Sequence, residues 1–318
     1  MNGRLMLVDS ASLYFRAFFG VKESITAPDG TPVNAVRGFL DMLATLITRR
    51  RPVRLVACWD DDWRPAFRVA AIPSYKAHRL APVQPSGGPD VEITPDALDV
   101  QVPIIAAALE VLGIARLGGA GLEADDVMGT LTTREVRRAH AAGATADVDV
   151  VTGDRDLFQL VDDAGVVRVL YTGKGVRNLD EVDQARLAEK YGVADGAGYA
   201  AMAALRGDPS DGLPGVPGIG EKTAASLIAR YRDLPTLRAA AASPDSDLSP
   251  ANRRRLLEAS GYLDVAPTVV EVVREADLPM PDDALPLTPP DHDALVAFAA
   301  RWNLDSSIVR MVTALAGG

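Results

Sequence analysis

The chain has 318 residues, of which 48% are hydrophobic and 24% are charged, and its formal net charge at pH 7 is −10. This length and composition are typical of one or two packed domains and exclude a disordered or coiled-coil chain. No apolar run approaches the roughly 18–20 residues of a membrane span, and the N-terminus lacks the pattern of a signal peptide. The single cysteine, Cys58, cannot form an intrachain disulfide, so we expect a cytoplasmic protein.

Strands and helices alternate along the first half of the chain, up to about residue 172. Short β-branched and apolar runs predict strands at 5–8, 55–59 and 148–152. Apolar residues at helical spacing predict helices at 10–19, 33–47, 97–112 and 122–140. Pro103 predicts a kink or two separate segments within 97–112. The alternation indicates an α/β fold with a mostly parallel sheet and helices on both faces.

The second half of the chain has a different pattern. A proline-rich stretch at 81–95 is the one clear loop interruption before it. Beyond residue 178 the strand signal ends, and only helical patterns follow. We therefore predict an α/β domain at 1–176 and a helical domain at 177–318.

Acidic residues follow each of the predicted strands. Asp9, Asp60 and Asp154 stand where these strands end, and the carboxyl ends of neighbouring parallel strands line one crevice. The further acids at Glu123, Asp125, Asp126, Asp156, Asp208 and Asp211 come at helix starts and in loops. So many carboxylates in one cleft would repel one another and resist ionisation unless cations neutralise them. The pattern predicts a site for two or more hard divalent ions.

Carboxylate oxygens are the ligands that Mg²⁺ and Mn²⁺ prefer. Two such ions about 4 Å apart activate a water and stabilise both oxygens of an in-line phosphoryl displacement. A lone aspartate after a strand is usually a helix cap or a surface group, but nine in this arrangement favour the metal site. The histidines at 78, 140 and 292 lack the spacing of a zinc site.

A glycine-rich turn at 215–224 precedes a predicted helix. Gly218 and Gly220 allow close backbone approach, the N–H groups at the helix start can bind an anion, and Lys222 adds a charge for phosphate. The spacing is not that of a P-loop, and no strand precedes it. An ordinary helix–turn–helix connection is the alternative interpretation.

Basic and aromatic residues lie close to the first two acids. Arg16 follows Asp9, and the segment after Asp60 contains Trp63, Arg64, Phe67, Arg68, Tyr75, Lys76 and Arg79. Such residues can neutralise phosphates and stack on unpaired bases, although a solvated helix face with core aromatics explains any one of them equally well. The acidic net charge argues only weakly against a nucleic-acid partner, because local fields decide binding. The arginine runs 49–51 and 253–255 are more typical of solvated helix ends, although the second could also follow a DNA backbone.

Together these motifs resemble the bacterial 5′-nuclease family, which comprises flap endonucleases and 5′→3′ exonucleases and includes the N-terminal nuclease domain of DNA polymerase I. The matching segments stand in the family's order over nearly the whole chain: Leu-Val-Asp9 with Arg16, Trp-Asp60, Tyr75 to Arg79, Glu123-Ala-Asp125-Asp126, Thr152-Gly-Asp154-Arg-Asp156, Gly207-Asp208-Pro-Ser-Asp211 and Gly218 to Thr223. No polymerase domain follows, so we expect a stand-alone member.

The resemblance implies a PIN-like sheet domain with a helical arch at about 63–102 and a helix–three-turn–helix at about 203–232. It implies one metal region at Asp9, Asp60, Glu123, Asp125 and Asp126, and a second at Asp154, Asp156, Asp208 and Asp211. Lys76, Arg79 and Arg16 would act on the scissile phosphate. The implied DNA contacts are Gly215, Val216, Gly218, Ile219, Gly220, Lys222 and Thr223 in the turn, with Arg64, Arg68 and Tyr75 nearer the cleft.

The implied activity is structure-specific 5′ cleavage of DNA in primer removal and repair, with two or three Mn²⁺ or Mg²⁺ and with K⁺ at the helix–three-turn–helix. The expected substrates are 5′-flap, nicked or 5′-overhang duplexes, and the expected partners are a polymerase and a ligase. We expect a monomer that acts at the nucleoid. Departures from the family pattern are Gly212 in place of Asn, Phe15 in place of Tyr, and a long 81–95 loop.

Other classes fit less well. A non-catalytic flap-DNA-binding relative is the main alternative, although loss of the second group of acids would be its sign and all four are present. A haloacid-dehalogenase-type phosphatase needs an acid where Ala11 stands, and a proofreading 3′→5′ exonuclease needs an Asp-x-Glu start. A small PIN-type ribonuclease would not need the 207–224 segment.

Overall fold

The computed structural model describes residues 3–82 and 90–317. Within them the chain forms one six-stranded sheet in the order β3-β2-β1-β4-β5-β6. The strands are β1 Leu5–Asp9, β2 Arg54–Cys58, β3 Ala115–Leu117, β4 Val148–Thr152, β5 Val167–Tyr171 and β6 Asp180–Val182. All neighbouring strands are parallel except the β5–β6 pair, which is antiparallel. The predicted mostly parallel sheet is confirmed.

Fourteen helices accompany the sheet in the described part of the chain. They are α1 Ser10–Gly20, α2 Asn34–Arg50, α3 Ala66–Ala71, α4 Asp96–Asp99, α5 Val102–Leu112, α6 Ala124–Ala141, α7 Gln184–Tyr191, α8 Gly196–Arg206, α9 Glu221–Tyr231, α10 Leu234–Ala242, α11 Pro250–Glu258, α12 Ser260–Val270, α13 His292–Trp302 and α14 Asp305–Ala316. Short 3₁₀ turns lie at Ala77–Arg79, Asp156–Leu160 and Pro209–Asp211. None of the described helices is both long and apolar enough to cross a membrane.

Helices cover both faces of the sheet. Every residue of β1, β2 and β4 is buried, as expected for a parallel sheet with no solvent-exposed face. Because side chains alternate along a strand, Leu5 and Leu7 pack with α6 on one face, whereas Met6 and Val8 pack with α1, α2 and α5 on the other. The core therefore lies in two layers, and the strand ends are the part of the sheet left open to a ligand.

Two helical segments differ in where they pack. Helices α8 to α11 continue the core of the α6 face, whereas α13 and α14 join the opposite layer. Ile308 and Met311 of α14 pack with α2, and Arg310 pairs with Asp41 of α2 at 2.7 Å. The last two helices therefore complete the helical cover on the α2 side of the sheet, although they come after the helical region in the chain.

Some sequence predictions need correction. The expectation that strands end before residue 178 is wrong, because β6 hydrogen-bonds to β5 beyond the predicted domain boundary. Within the predicted helical domain at 177–318, α13 and α14 pack in the same core cluster as α2 of the α/β region. Of the two outcomes predicted for 97–112, a kink or two segments, the structure has two segments, α4 and α5, with Pro103 in the first turn of α5. Much of the predicted 81–95 loop lies at 83–89, outside the described residues.

Candidate active site

A cleft of about 390 Å³ opens at the carboxyl ends of the central strands. Its lining includes most of the predicted metal and catalytic residues: Asp9, Asp60, Lys76, Arg79, Glu123, Asp125, Asp154 and Asp208. Asp156 and Asp211 belong to the same group of acids. Repulsion from Asp154 contributes to a raised pKa of both, and Asp211 also raises the pKa of Asp156. The fold thus brings acids that are about 200 residues apart in the chain to one edge of the sheet.

Helix starts hold the first two aspartates in place. Asp9 ends β1 and caps α1, accepting a hydrogen bond from the Ser12 amide at 2.9 Å and another from the Thr152 hydroxyl at 2.7 Å. Asp60 accepts a hydrogen bond from the amide of Ala124 at 2.7 Å, where α6 begins. The N–H groups and dipoles of two helices therefore fix both carboxylates at the floor of the cleft.

Burial and mutual repulsion disfavour the charged form of several acids. Burial, followed by repulsion from Asp60, raises the pKa of Asp9 from 3.8 to about 7. Burial also raises the pKa of Asp60 to about 6, with repulsion from Glu123 adding to it. The pKa of Asp125 lies well above its usual value because of burial and repulsion from Asp154 and Asp9. Bound cations would relieve this repulsion.

The second group of acids lies in the turn after β4 and in the loop after α8. Asp154 accepts a hydrogen bond from the Asp156 amide at 2.8 Å, and Asp208 accepts one from the Ser210 amide at 2.8 Å. Burial and repulsion from Asp154, Asp211 and Asp208 raise the pKa of Asp156 well above its usual value. The pKa of Asp211 is raised chiefly by burial.

The acids of the cleft suit hard cations that keep some of their waters better than cations coordinated by protein ligands alone. The clustered acids offer carboxylate oxygens, the donor type that Mg²⁺ and Mn²⁺ prefer. Yet among residues 3–82 and 90–317 no three Asp, Glu, His or Cys side chains converge as a ready-made site for one ion. Mg²⁺ commonly takes only one or two carboxylates and keeps several waters. The acids of the cleft therefore fit ions that retain part of their water shell.

Two predicted catalytic cations lie in the cleft, each paired with an acid. The Lys76 amine forms an ion pair with Glu123, and Arg79 pairs with Asp211 at 2.9 Å. Burial alone would lower the pKa of Lys76, but the attraction of Glu123 overrides it and holds that pKa well above its usual value. Arg16 is not part of the cleft lining, and its buried Nε has no hydrogen-bond partner among the described residues.

Asp126 does not face the cleft, and its predicted role as a metal ligand needs correction. The side chain is fully buried, and both carboxylate oxygens accept hydrogen bonds from Arg68, at 2.6 and 2.7 Å. The carboxylate also accepts hydrogen bonds from the amides of Glu123 and Val273. Because these partners occupy both carboxylate oxygens and the side chain is not part of the cleft lining, little room is left for a metal. Asp126 also forms, with Glu123, the capping box that begins α6.

The structure also contradicts the predicted DNA contacts at Arg64, Arg68 and Tyr75. Arg68 is 2% exposed, and its guanidinium bonds to Glu123 and Asp126. The Tyr75 hydroxyl donates to Glu123 at 2.7 Å, and Arg64 donates to the Tyr75 carbonyl at 2.6 Å. All three side chains are buried, so they support the wall that carries Lys76 and do not face DNA.

Several cleft residues escaped the sequence prediction. Glu92 lines the cleft, and burial raises its pKa; its position in a proline-rich loop offers no local signal of a site. Tyr171 and Arg155 also line the cleft. Both follow the strand-end rule that located Asp9, since Tyr171 ends β5 and Arg155 follows β4.

The glycine-rich turn opens α9 as predicted. Gly218 has φ +81°, and a Cβ there would lie 2.7 Å from Nε of Arg255, which belongs to the arginine run 253–255. Gly220 precedes the helix, and Gly220 and Lys222 are exposed, whereas Thr223 is half-buried.

The remaining predicted contacts in the turn are buried. Val216 and Ile219 are each 2% exposed, and Gly215 lies against the Arg206 carbonyl. Any contact of these three with DNA is therefore limited to their backbone, and the prediction for Val216 and Ile219 is corrected to anchoring the turn.

Comparison with known proteins gives a consistent result over both halves of the chain. A family model described as 5'-3' exonuclease, N-terminal resolvase-like domain, matches residues 4–192, and one described as 5'-3' exonuclease, C-terminal SAM fold, matches residues 195–293. A 5'-3' exonuclease of Streptomyces coelicolor is 61% identical over 312 residues, covering 98% of this chain and 99% of the relative. A 5'-3' exonuclease of Mycobacterium tuberculosis is 51% identical over 321 residues, covering 99% and 98%.

Solved structures share the fold. The crystal structure of the bacteriophage T5 flap endonuclease, in a pseudo-enzyme-product complex with DNA and metal ions, superposes with a TM-score of 0.63 at 18% sequence identity. The match covers 98% of this chain and 99% of that chain. The predicted fold class, a PIN-like sheet domain with a helical region, is thereby confirmed.

Proposed function

Because the chain belongs to the 5′–3′ exonuclease family, we propose that it is a structure-specific 5′ nuclease that hydrolyses DNA phosphodiesters in the carboxylate cleft with two or three Mn²⁺ or Mg²⁺. The observation that carries this proposal is the convergence of the predicted acids from five separate chain segments on one cleft. The raised pKa values of Asp9, Asp60 and Asp125 indicate a need for cations that the described residues meet only in part, through Lys76 and Arg79.

The chain's own residues supply positioning. Asp9, Asp60, Glu123 and Asp125 would hold one metal region, and Asp154, Asp156, Asp208 and Asp211 the other. When bound, the ions would activate water and stabilise the oxygens of an in-line phosphoryl displacement. Lys76 and Arg79 line the same cleft and can turn from their carboxylate partners to the scissile phosphate, stabilising the charge that develops there.

Duplex DNA would bind at the start of α9. The exposed Gly220 amide and Lys222 stand at a helix N-terminus, where backbone N–H groups and the helix dipole attract phosphate, and Arg255 adds charge beside Gly218. K⁺ at this turn, polymerase and ligase partners, a monomeric state and action in the cytoplasm at the nucleoid complete the proposal. The DNA and metal ions bound by the T5 flap endonuclease, which shares the fold, support this choice of ligands.

The test is cleavage of a 5′-flap duplex with Mn²⁺, with Mg²⁺ and with excess EDTA. We expect cutting with either ion, none in EDTA, and none with Asp154→Asn. Asp282→Asn is the matched control, because it removes an exposed acid next to Asp283, which pairs with the opposite end of β2. Flap binding without cutting under every metal condition would contradict the nuclease and favour a non-catalytic DNA-binding protein.

A further inference from the structure

Arg206 stands between the duplex-binding helix and the second group of acids. It is the last residue of α8, and its side chain is 14% exposed. One guanidinium nitrogen, Nη1, donates to Glu221 Oε2 at 3.0 Å, whereas the other, Nη2, lies 3.8 Å from Asp208 Oδ2. The cation is thus shared unequally: it is hydrogen-bonded to Glu221 and held just beyond hydrogen-bond distance from Asp208.

The backbone fixes this unequal arrangement. Asp208 and Leu213 exchange two backbone hydrogen bonds, at 3.0 and 2.8 Å, which close the loop that carries Asp208. A Cβ on Gly207 would lie 2.4 Å from the Gly215 amide, so the loop and the turn before α9 meet in a crossing that requires glycine. Nε of Arg206 also donates to the Gly207 carbonyl at 3.1 Å, so the orientation of the two terminal guanidinium nitrogens decides which carboxylate they bond to.

We propose that Glu221 is a positioning residue that keeps Arg206 from hydrogen-bonding to Asp208 and so leaves Oδ2 of Asp208 available to a divalent ion. This inference rests on the proposed function, because it assumes that Asp208 serves a metal. Without the Glu221 carboxylate, Arg206 would turn to Asp208 and form a charge-assisted pair in competition with the ion. Glu221 lies in the first turn of α9, so this pair also links the duplex-binding turn to the cleft.

A phosphate bound at the start of α9 would place a further negative charge beside Glu221. That charge would draw Arg206 more strongly toward α9 and release Asp208 further. Duplex binding and metal binding would then favour each other, and linkage makes the effect the same in both directions.

The experiment measures Mn²⁺ binding to the full chain without DNA, from the free-Mn²⁺ signal in electron paramagnetic resonance. We expect Glu221→Gln to weaken Mn²⁺ binding at the site that Asp208 would serve by roughly fivefold or more. Arg206→Met should bind Mn²⁺ at least as tightly as the wild type, and Glu221→Gln should have no further effect in that background. Thermal unfolding of each variant in EDTA establishes that it is folded.

Glu189→Gln is the matched control. Arg186 on α7 is likewise shared between two carboxylates, bonding to Glu189 at 2.8 Å and to Asp180 at 3.1 Å, but neither belongs to the cleft. Mn²⁺ binding within twofold of wild type in Glu221→Gln, or an equal loss in Glu189→Gln, would overturn the inference. A wild-type protein that binds no Mn²⁺ and cuts no flap would instead contradict the proposed function itself.

Discussion

Replacing Arg68 tests whether this arginine is a structural group, as the structure places it, or a DNA contact. Its side chain is 3% exposed and makes charged hydrogen bonds to Glu123 and Asp126, with a further bond to the Val269 carbonyl at 3.2 Å. Arg68→Met would leave two buried carboxylates with fewer partners. Because breaking a buried ion pair by removing one member costs about 3–5 kcal/mol, we expect a loss of that size in the free energy of unfolding.

The assay is urea unfolding in EDTA, followed by duplex binding at several salt concentrations. Adding Asp126→Asn to Arg68→Met should recover part of the lost stability, because it removes the buried negative charge that Arg68→Met leaves without its arginine partner. Arg230→Met is the control, because its pair with Asp247 is exposed and solvent screens such pairs, so we expect little change in stability. A stability loss below about 1 kcal/mol, or a salt slope lower by about 0.9 as for one lost phosphate contact, would refute the structural assignment.

Three further predictions concern the cleft and the turn. Asp125→Asn should reduce flap cleavage by at least about a hundredfold while duplex binding, measured by anisotropy, stays the same or tightens because a negative charge is gone; retained turnover would remove Asp125 from the metal region. Lys222→Ala should weaken duplex binding and lower the salt slope by about 0.9, and an unchanged slope would make the turn purely structural. Asp9 and Asp60 have folded-state pKa values of about 7 and about 6, above the ordinary 3.8, so the metal-free folded state holds protons that the unfolded chain releases. Its stability in EDTA should therefore fall as pH rises from about 4 to about 7, and Mn²⁺ affinity should rise over the same range as those protons leave; a stability that increases with pH there would contradict the raised pKa values.

The strand-end acids were predictable because two local rules act together. A β-branched run followed by an acid marks where a strand stops, and parallel strands bring their carboxyl ends to one edge. Asp9, Asp60 and Asp154 follow this rule. The turn before α9 was equally predictable from its glycines, and Gly218 does adopt a positive φ, which favours glycine.

Side-chain partners that are distant in the chain were not predictable. Asp125 and Asp126 are adjacent in sequence, but Asp126 meets Arg68 from α3 and the amide of Val273 in the segment after α12. Asp125 lines the cleft, whereas Asp126 is buried, and no spacing rule in the sequence distinguishes the two. The return of α14 to α2 is hidden for a similar reason: an amphipathic helix shows which face is buried but not which surface it packs on.

The most direct test of the central claim is to follow both ends of one flap strand in a single reaction. The substrate is a 5′-flap duplex with different labels at the 5′ and 3′ ends of the flap strand, incubated with Mn²⁺. A 5′ nuclease working from the carboxylate cleft should release the 5′ label on a short product and leave the 3′ label on a duplex-length strand cut near the junction. Loss of the 3′ label first, or an intact strand after prolonged incubation, would contradict the account.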